Sequence, residues 1–412
     1  MEPSASHRKR RKREKTKKIQ KTTQTSHDNN DISESEPIPP DIIFEILSKL
    51  SMESIVRFQS VSKLWSSITA TPEFTKARSS PSPPRVLLLF QKRERVFAFS
   101  SPTQESNNPD NPYPPRVVSC PYECLYNCFD SVYGFVCLRS LTQFKIWNPT
   151  TGRVFTLPKL ECDERSIANK FLLGYGSVDD EYKALSILRG SSIGILTLGA
   201  QESWRFISTR IPKHVPLPFA GVHNSVICID GFIYYEAFMC LAMKHAIMSF
   251  DLRSEELSLI KHPNREKRCL LVSYEGRLAL VTSISSGVEL WILEDAENHE
   301  WSHKSFSSPP PPYEKWMLKG VTDAGEFIYI YTPFSTFRFS GKFRGSSEVI
   351  HVEKSLHESF SVMYFDPTKK TTREVKFGGI GCDDIRRLDE VGFNIRDDLI
   401  VIPNHIESLM SL

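Results

Sequence analysis

The chain has 412 residues, of which 40% are hydrophobic and 11% aromatic, so it can build a substantial core. No apolar run approaches the roughly 18 residues of a membrane helix, and no apolar segment follows the charged N-terminus as in a signal peptide. The nine cysteines are odd in number and scattered, unlike those of disulfide-stapled secreted domains. These features exclude a membrane-spanning protein and a small secreted scaffold. They predict a protein that stays inside the cell with reduced thiols.

Residues 7–21 form a basic arm that holds ten Lys or Arg against Glu14 alone. Although the net charge of the whole chain is +3, the rest of the chain outside the arm is mildly acidic. We therefore do not expect that part to bind nucleic acid. Residues 1–36 are polar and poor in aromatics, which predicts a disordered tail. The composition of the arm is typical of a nuclear import signal, of a phosphate-binding arm or of a solvated tail without a targeting signal. The candidate import residues are Arg8, Lys9, Arg10, Arg11, Lys12 and Arg13.

Residues 37–78 show helical periodicity and predict a small all-α module. Asp41 is a candidate cap for a first helix, and Ser51 is a candidate cap for a second. Apolar residues recur at helical spacing along the first and third helices, at Ile42, Ile43, Ile46, Leu47, Leu50, Val61, Leu64, Trp65 and Ile68. So short a module buries too little surface to be stable alone, so it is expected to need a partner.

A Pro- and Ser-rich linker at residues 79–84 separates this module from a strand-rich region, residues 85–400. Short runs rich in Val, Ile, Phe and Tyr alternate there with polar turns. One turn design recurs, mostly at intervals of 44 to 52 residues, marked by Ser101, Asn148, Gly199, Asp251, Asp295 and Asp366.

This interval is close to the ~40–50 residues of a propeller blade. The repeats predict six blades or an incomplete propeller-like array. A pair of β-sandwiches is the alternative, because several repeats show only about three convincing strands where a blade has four.

Two regions resemble known families. The segment IPPDIIFEILSKLSMESIVRFQSVSKLWSSITATPEF resembles the F-box, from Ile38-Pro39 in place of its opening Leu-Pro to Pro72-Glu73-Phe74. Ser51 departs from the Pro usual in plant members. Residues 85–390 resemble the F-box-associated domain of plant F-box families, type 3, through phrases such as IWNPTTGRVFTLP, SVICIDGFIYYEA and IMSFDLRSEELSLIKHP.

The resemblance implies an α+β multidomain chain, with a small all-α F-box module followed by an all-β, kelch-like or propeller-like domain. It further implies a substrate-recognition subunit of an SCF-type ubiquitin ligase. In that role the F-box binds a Skp-type adaptor, which docks on a cullin, and the C-terminal domain binds an unknown target protein. We expect such a protein in the nucleus, the cytoplasm or both. The candidate adaptor-binding residues, which spacing does not separate from core residues, are Pro39, Ile42, Ile46, Leu47, Leu50, Ile55, Val61 and Trp65.

The sequence predicts no catalytic residue, no cofactor and no metal site. Cys120, Cys124 and Cys128 form a Cys-x3-Cys-x3-Cys run, but no second ligand pair lies nearby, so they are interpreted as buried reduced thiols. A propeller oxidase or lyase would require converging His, Tyr or acidic ligands that the sequence does not display. The other alternative is a nuclear nucleic-acid-associated scaffold that uses the basic arm.

Overall fold

The structure is a computed structural model in which four helices precede 25 strands within the described part of the chain. The order of elements agrees with the predicted α module followed by a β domain. The described residues are 38–79, 85–92, 95–102, 116–120, 131–139, 144–160, 170–188, 192–211, 213–217, 226–263, 269–284, 287–309, 316–331, 360–377 and 400–410.

The helical module consists of α1 (Pro40–Ser48), α2 (Met52–Val61), α3 (Lys63–Thr69) and α4 (Pro72–Ser79). The predicted cap at Ser51 is confirmed, since its side chain accepts a hydrogen bond from the Ser54 backbone N–H. Asp41 is not a cap, because Pro40 already begins the helix and places Asp41 in its first turn. A carboxylate there still stabilises the helix through the helix dipole.

The first three sheets follow the linker, and each contains four strands. Sheet one contains β1 (Arg85–Lys92), β2 (Arg95–Pro102), β3 (Arg116–Ser119) and the last strand, β25 (Ile400–His405). Sheet two contains β4 (Ser131–Val132), β5 (Phe135–Arg139), β6 (Phe144–Trp147) and β7 (Val154–Thr156). Sheet three contains β8 (Lys170–Gly176), β9 (Glu181–Ile187), β10 (Ser192–Thr197) and β11 (Arg205–Ser208).

The other three sheets complete the β domain. Sheet four contains β12 (His214–Pro216), β13 (Val226–Ile229), β14 (Phe232–Met239), β15 (Lys244–Asp251) and β16 (Leu257–Lys261). Sheet five contains β17 (Leu270–Tyr274), β18 (Arg277–Ile284), β19 (Gly287–Asp295) and β20 (Glu300–Ser307). Sheet six contains β21 (Trp316–Val321), β22 (Phe327–Tyr331), β23 (Phe360–Asp366) and β24 (Thr371–Phe377).

The six sheets are the blades of a propeller, because their innermost strands contact one another in a closed ring: β4, β8, β13, β17, β21 and β25. The ring closes through β25, which pairs antiparallel with β1. The prediction of six blades is therefore confirmed, and the sandwich alternative is wrong. The predicted end of the domain at residue 400 coincides with the first residue of β25, so the ring extends beyond it.

Each pair of neighbouring blades encloses its own apolar cluster. In β1, Leu87 and Leu89 pack with sheet two, whereas Val86 and Leu88 pack with sheet six. Successive strand residues point to opposite faces of a sheet, and both faces of a blade are covered by its neighbours. This explains why the strand reads as a continuous apolar run, RVLLLF, without alternating polar residues.

The recurring turn found in the sequence is the hairpin between the third and outermost strands of a blade. In four blades an Asn or Asp side chain accepts hydrogen bonds from backbone N–H groups two or three residues later, at Asn148, Asp251, Asp295 and Asp366. The hairpin between the first and second strands of a blade, the inner hairpin, lies at the same end of the blade as this outer hairpin, because successive strands alternate in direction. We call this end of the ring the hairpin face.

The ring closure buries His405, the last residue of β25. Its Nδ1 lies 3.1 Å from the Ser131 hydroxyl, and Arg85 pairs with it across the strands. Burial, and then the charge of Arg85, lower the pKa of His405 from 6.5 to about 3. The folded protein therefore holds this imidazole neutral.

Acid is expected to weaken the ring closure through His405. The unfolded chain takes up a proton near pH 6.5 that the folded chain excludes down to about pH 3, so stability is lost as the pH falls through this window. Between pH 7 and pH 5 the loss from this group is about 2 kcal/mol. His405→Gln replaces the imidazole with an amide that can form hydrogen bonds but does not titrate. In urea unfolding we expect the free energy of unfolding of this variant to fall by about 2 kcal/mol less than that of the wild type over this range. Equal losses would contradict a buried neutral His405.

Candidate functional site

The outer side of α1 carries a solvent-exposed stripe of isoleucines. Ile42 is 47% exposed and Ile46 is 48% exposed, and their four-residue spacing places them on the same side of the helix. Ile38, just before the helix, is also exposed. Large apolar side chains grouped on a soluble surface are typical of a protein-binding site.

A second pair of exposed apolar side chains lies where α2 meets α3. Val61 ends α2 and Leu64 lies in the first turn of α3, and both are exposed. Between them Ser62 caps α3 by accepting a hydrogen bond from the Trp65 backbone N–H. The short connection fixes both side chains on the surface of the module.

The eight predicted adaptor-binding residues do not share one environment. Leu47 and Ile55 are buried in the core of the module. Leu50 and Trp65 are half-buried, and the exposed residues of the set are Pro39, Ile42, Ile46 and Val61. The structure thus separates a core group from a surface group that spacing alone leaves mixed.

The core of the helical module includes one residue from the far end of the described chain. Leu409 packs against Leu47, Ile55 and Phe74 and is only 9% exposed. The Phe74 ring also meets the Phe44 ring edge-on, with centroids 5.1 Å apart. The module therefore completes its core with a residue that follows the last propeller strand.

Residues 406–410, the C-terminal segment, are also anchored on sheet two. The Asn148 side-chain amide donates to the backbone carbonyls of Ser408, at 2.9 Å, and Met410, at 3.2 Å. The Ser408 backbone N–H donates to the Thr150 hydroxyl. A Cβ at Gly134 would lie 2.5 Å from the Ser408 Cβ, so the inner hairpin of this blade requires glycine. The segment thus joins the helical module to the hairpin face of the propeller.

Comparison with known proteins identifies both parts of the chain. Residues 37–77 match the F-box domain family, and residues 85–340 match the family described as the F-box associated beta propeller domain. The chain is a plant F-box protein with an F-box-associated domain. A putative F-box protein of Arabidopsis thaliana is 48% identical over 92% of this chain and 96% of its own length. A second Arabidopsis thaliana F-box protein is 44% identical over 93% of each chain.

Among solved structures, a chain of a nidogen/laminin complex covers 77% of this F-box protein and 97% of its own length. Its TM-score is 0.40 at 9% identity, too low to support any conclusion. The family assignment therefore rests on the two family matches and the Arabidopsis thaliana relatives. F-box and propeller domains of this adaptor type are typically non-catalytic.

Other sequence predictions fall partly outside the described residues of this F-box protein. The candidate import residues Arg8 to Arg13 lie outside them, so nuclear import stays a prediction. Cys120 is buried, whereas Cys124 and Cys128 are also outside the described part. No group of three metal-ligating side chains occurs among the described residues, and none of their helices is long and apolar enough to cross a membrane.

Sequence reasoning missed three residues of this region. Ile38 and Leu64 add to the exposed apolar surface of the F-box; Leu64 shares the helical spacing of the third helix, but neither residue is among the candidate adaptor-binding residues. Leu409 carries no comparable signal, because a single leucine after a strand does not indicate which domain it packs into.

Proposed function

We propose that this F-box protein is the substrate-recognition subunit of an SCF-type ubiquitin ligase. The F-box binds a Skp-type adaptor and, through it, a cullin, while the propeller binds the target protein. Ubiquitin transfer takes place on other subunits, so this chain contributes binding and no catalytic residue. The exposed isoleucine stripe on α1 is the observation that supports adaptor binding most directly.

The energetics of the stripe suit a stable protein contact. Fully burying an exposed isoleucine side chain contributes about 1.5–3 kcal/mol. Ile42 and Ile46 are each about half exposed, so together they can still contribute about 1.5–3 kcal/mol to binding. Leu47, one residue from Ile46, already contributes to the internal core.

The link between the domains suits a receptor. Leu409 belongs to the F-box core, while Ser408 and Met410 are hydrogen-bonded to Asn148 in the propeller. A target on the propeller is therefore held in a defined position relative to the adaptor. A flexible linker alone would leave that position variable.

The double substitution Ile42→Asp with Ile46→Asp tests the adaptor contact. We expect affinity for a recombinant plant Skp-type adaptor, measured by calorimetry, to fall by at least about 100-fold, because the interface loses two isoleucines and would have to desolvate two carboxylates in their place. The melting temperature should stay near the wild-type value, since both side chains are exposed in the isolated protein.

Val178→Asp is the matched control. Val178 is 74% exposed in the inner hairpin of sheet three, so the variant places one carboxylate on an exposed apolar site outside the F-box. This variant should bind the adaptor as the wild type does. Equal adaptor affinity in the double variant and the control would refute the assignment of the stripe.

A further inference from the structure

The axis of the propeller contains a cavity of about 250 Å³ near the hairpin face. Five of the six innermost strands line it: β4, β13, β17, β21 and β25. Pockets for drug-sized ligands span about 300–1,000 Å³, so this cavity fits a smaller group, such as one side chain.

The lining of the cavity is negatively charged. Asp230 and Asp323 contribute solvent-exposed carboxylates at its rim, and none of the described lining residues is Lys, Arg or His. Neither carboxylate forms an ion pair within the described part of the chain. Glu275, in the inner hairpin of sheet five, differs because it lies 3.1 Å from Arg277 and 4.0 Å from Lys304. The carboxylate of Glu275 is therefore neutralised by nearby cations, whereas those of Asp230 and Asp323 are not.

Tight turns hold the charged rim in place. Tyr133-Gly134 and Asp230-Gly231 are two-residue hairpin turns whose residues all have positive φ, from 44° to 90°. Asp323 is held differently, because its backbone N–H donates to the Asn404 side-chain oxygen at 2.9 Å. The positions of these groups are thus set by backbone geometry before any ligand binds.

An aromatic ring completes the rim. Tyr133 packs against Tyr175 with ring centroids 4.5 Å apart, and it lines the same cavity as both carboxylates. Burial raises the pKa of Tyr133, and the charges of Cys228, Asp230 and Asp323 raise it further, consistent with their proximity. An electron-rich ring beside carboxylates is a favourable environment for an organic cation.

We propose that this cavity binds the cationic side chain of a lysine or arginine in an extended segment of the target protein. The proposal rests on the proposed function in treating the propeller as the target-binding domain. Two carboxylates without an ion pair among the described residues, together with the ring of Tyr133, supply the negative charge and the aromatic surface that an ammonium or guanidinium group favours.

The site lies beside the F-box. Ile406 lines the cavity, and Leu409 packs in the F-box core. Residues three apart in the chain have Cα atoms at most about 11 Å apart. A target anchored in the cavity is therefore held next to the adaptor-binding domain.

Calorimetric titration of the full chain tests the proposal with three small probes. These are the N-acetyl, N-methylamide derivatives of arginine, lysine and citrulline, where citrulline is the uncharged isostere of arginine. We expect the arginine or the lysine probe to bind, and citrulline to bind at least about tenfold more weakly, because it lacks the charge that two carboxylates and the ring attract. Equal affinity for citrulline and arginine, or no binding of either cation, would overturn the proposal.

Variants locate the binding site. Asp230→Asn with Asp323→Asn should weaken binding of the cationic probe by at least about tenfold. Glu275→Gln, which lies outside the lining, should leave the affinity for this probe unchanged. Unchanged binding in the double variant would show that the cation binds elsewhere. The probes report on the cavity without an adaptor, so this result is independent of the adaptor test.

The basic arm of the chain is the other source of a cationic side chain. A full chain with the ten Lys and Arg of residues 7–21 replaced by Gln distinguishes the two. Unchanged probe affinity is expected if the site is open to a target. A clear gain in affinity would assign the cavity to the arm and overturn its assignment to a target.

Discussion

Leu409→Asp is expected to abolish adaptor binding, although Leu409 lies far from the F-box in the sequence. The substitution places a carboxylate in the core formed with Leu47, Ile55 and Phe74. Losing a buried leucine costs about 2–5 kcal/mol, and an unpaired buried charge adds to this cost. Because α1 is positioned by this core, the isoleucine stripe should lose its arrangement. Calorimetry with the Skp-type adaptor measures the loss.

Leu241→Asp is the control for this prediction. Leu241 is 84% exposed in the hairpin between β14 and β15, at the end of the propeller opposite the hairpin face. The same change of residue there should leave adaptor affinity at the wild-type value. If both variants bind the adaptor equally well, Leu409 does not support the F-box.

Val401→Asp is expected to open the propeller ring. Val401 is buried in β25 and packs with the apolar cluster between sheets one and six. A charge in this cluster should lower the free energy of unfolding by about 4 kcal/mol or more. Without β25 the backbone of β1 is paired only with β2, so amide exchange should accelerate at those residues among Leu87, Leu88 and Leu89 whose N–H groups point toward β25.

Hydrogen–deuterium exchange and thermal unfolding measure this effect together. Val178→Asp introduces the same change on an exposed hairpin and should leave both quantities unchanged. Wild-type exchange in β1 of the Val401 variant would mean that the ring stays closed without a well-packed β25.

Local sequence signals predicted much of the fold. The Asn and Asp residues of the outer hairpins, such as Asn148 and Asp251, satisfy backbone groups within their own turns, so each turn is encoded by neighbouring residues. The same holds for Ser51, which caps α2 directly. Signals of this kind act over a few residues and can be read without the rest of the chain.

Long-range features could not be predicted in this way. Helical spacing places Ile46 and Leu47 on one broad apolar face, but their burial differs because of what packs against each. Asp230 and Asp323 belong to separate blades and line one cavity only when the ring is closed. Sequence spacing predicted the helices and blades, whereas the surface, the core and the cavity depend on tertiary contacts.

The C-terminal segment also sets the order in which this protein can mature on the ribosome. Synthesis proceeds from the N-terminus, so the F-box helices emerge long before Leu409 and before the ring-closing strand. Until residue 410 has emerged, the F-box core lacks a member and the first blade lacks its inner strand. Chains truncated before this point should therefore have neither a complete adaptor-binding domain nor a closed receptor, which would keep aborted products from occupying adaptors.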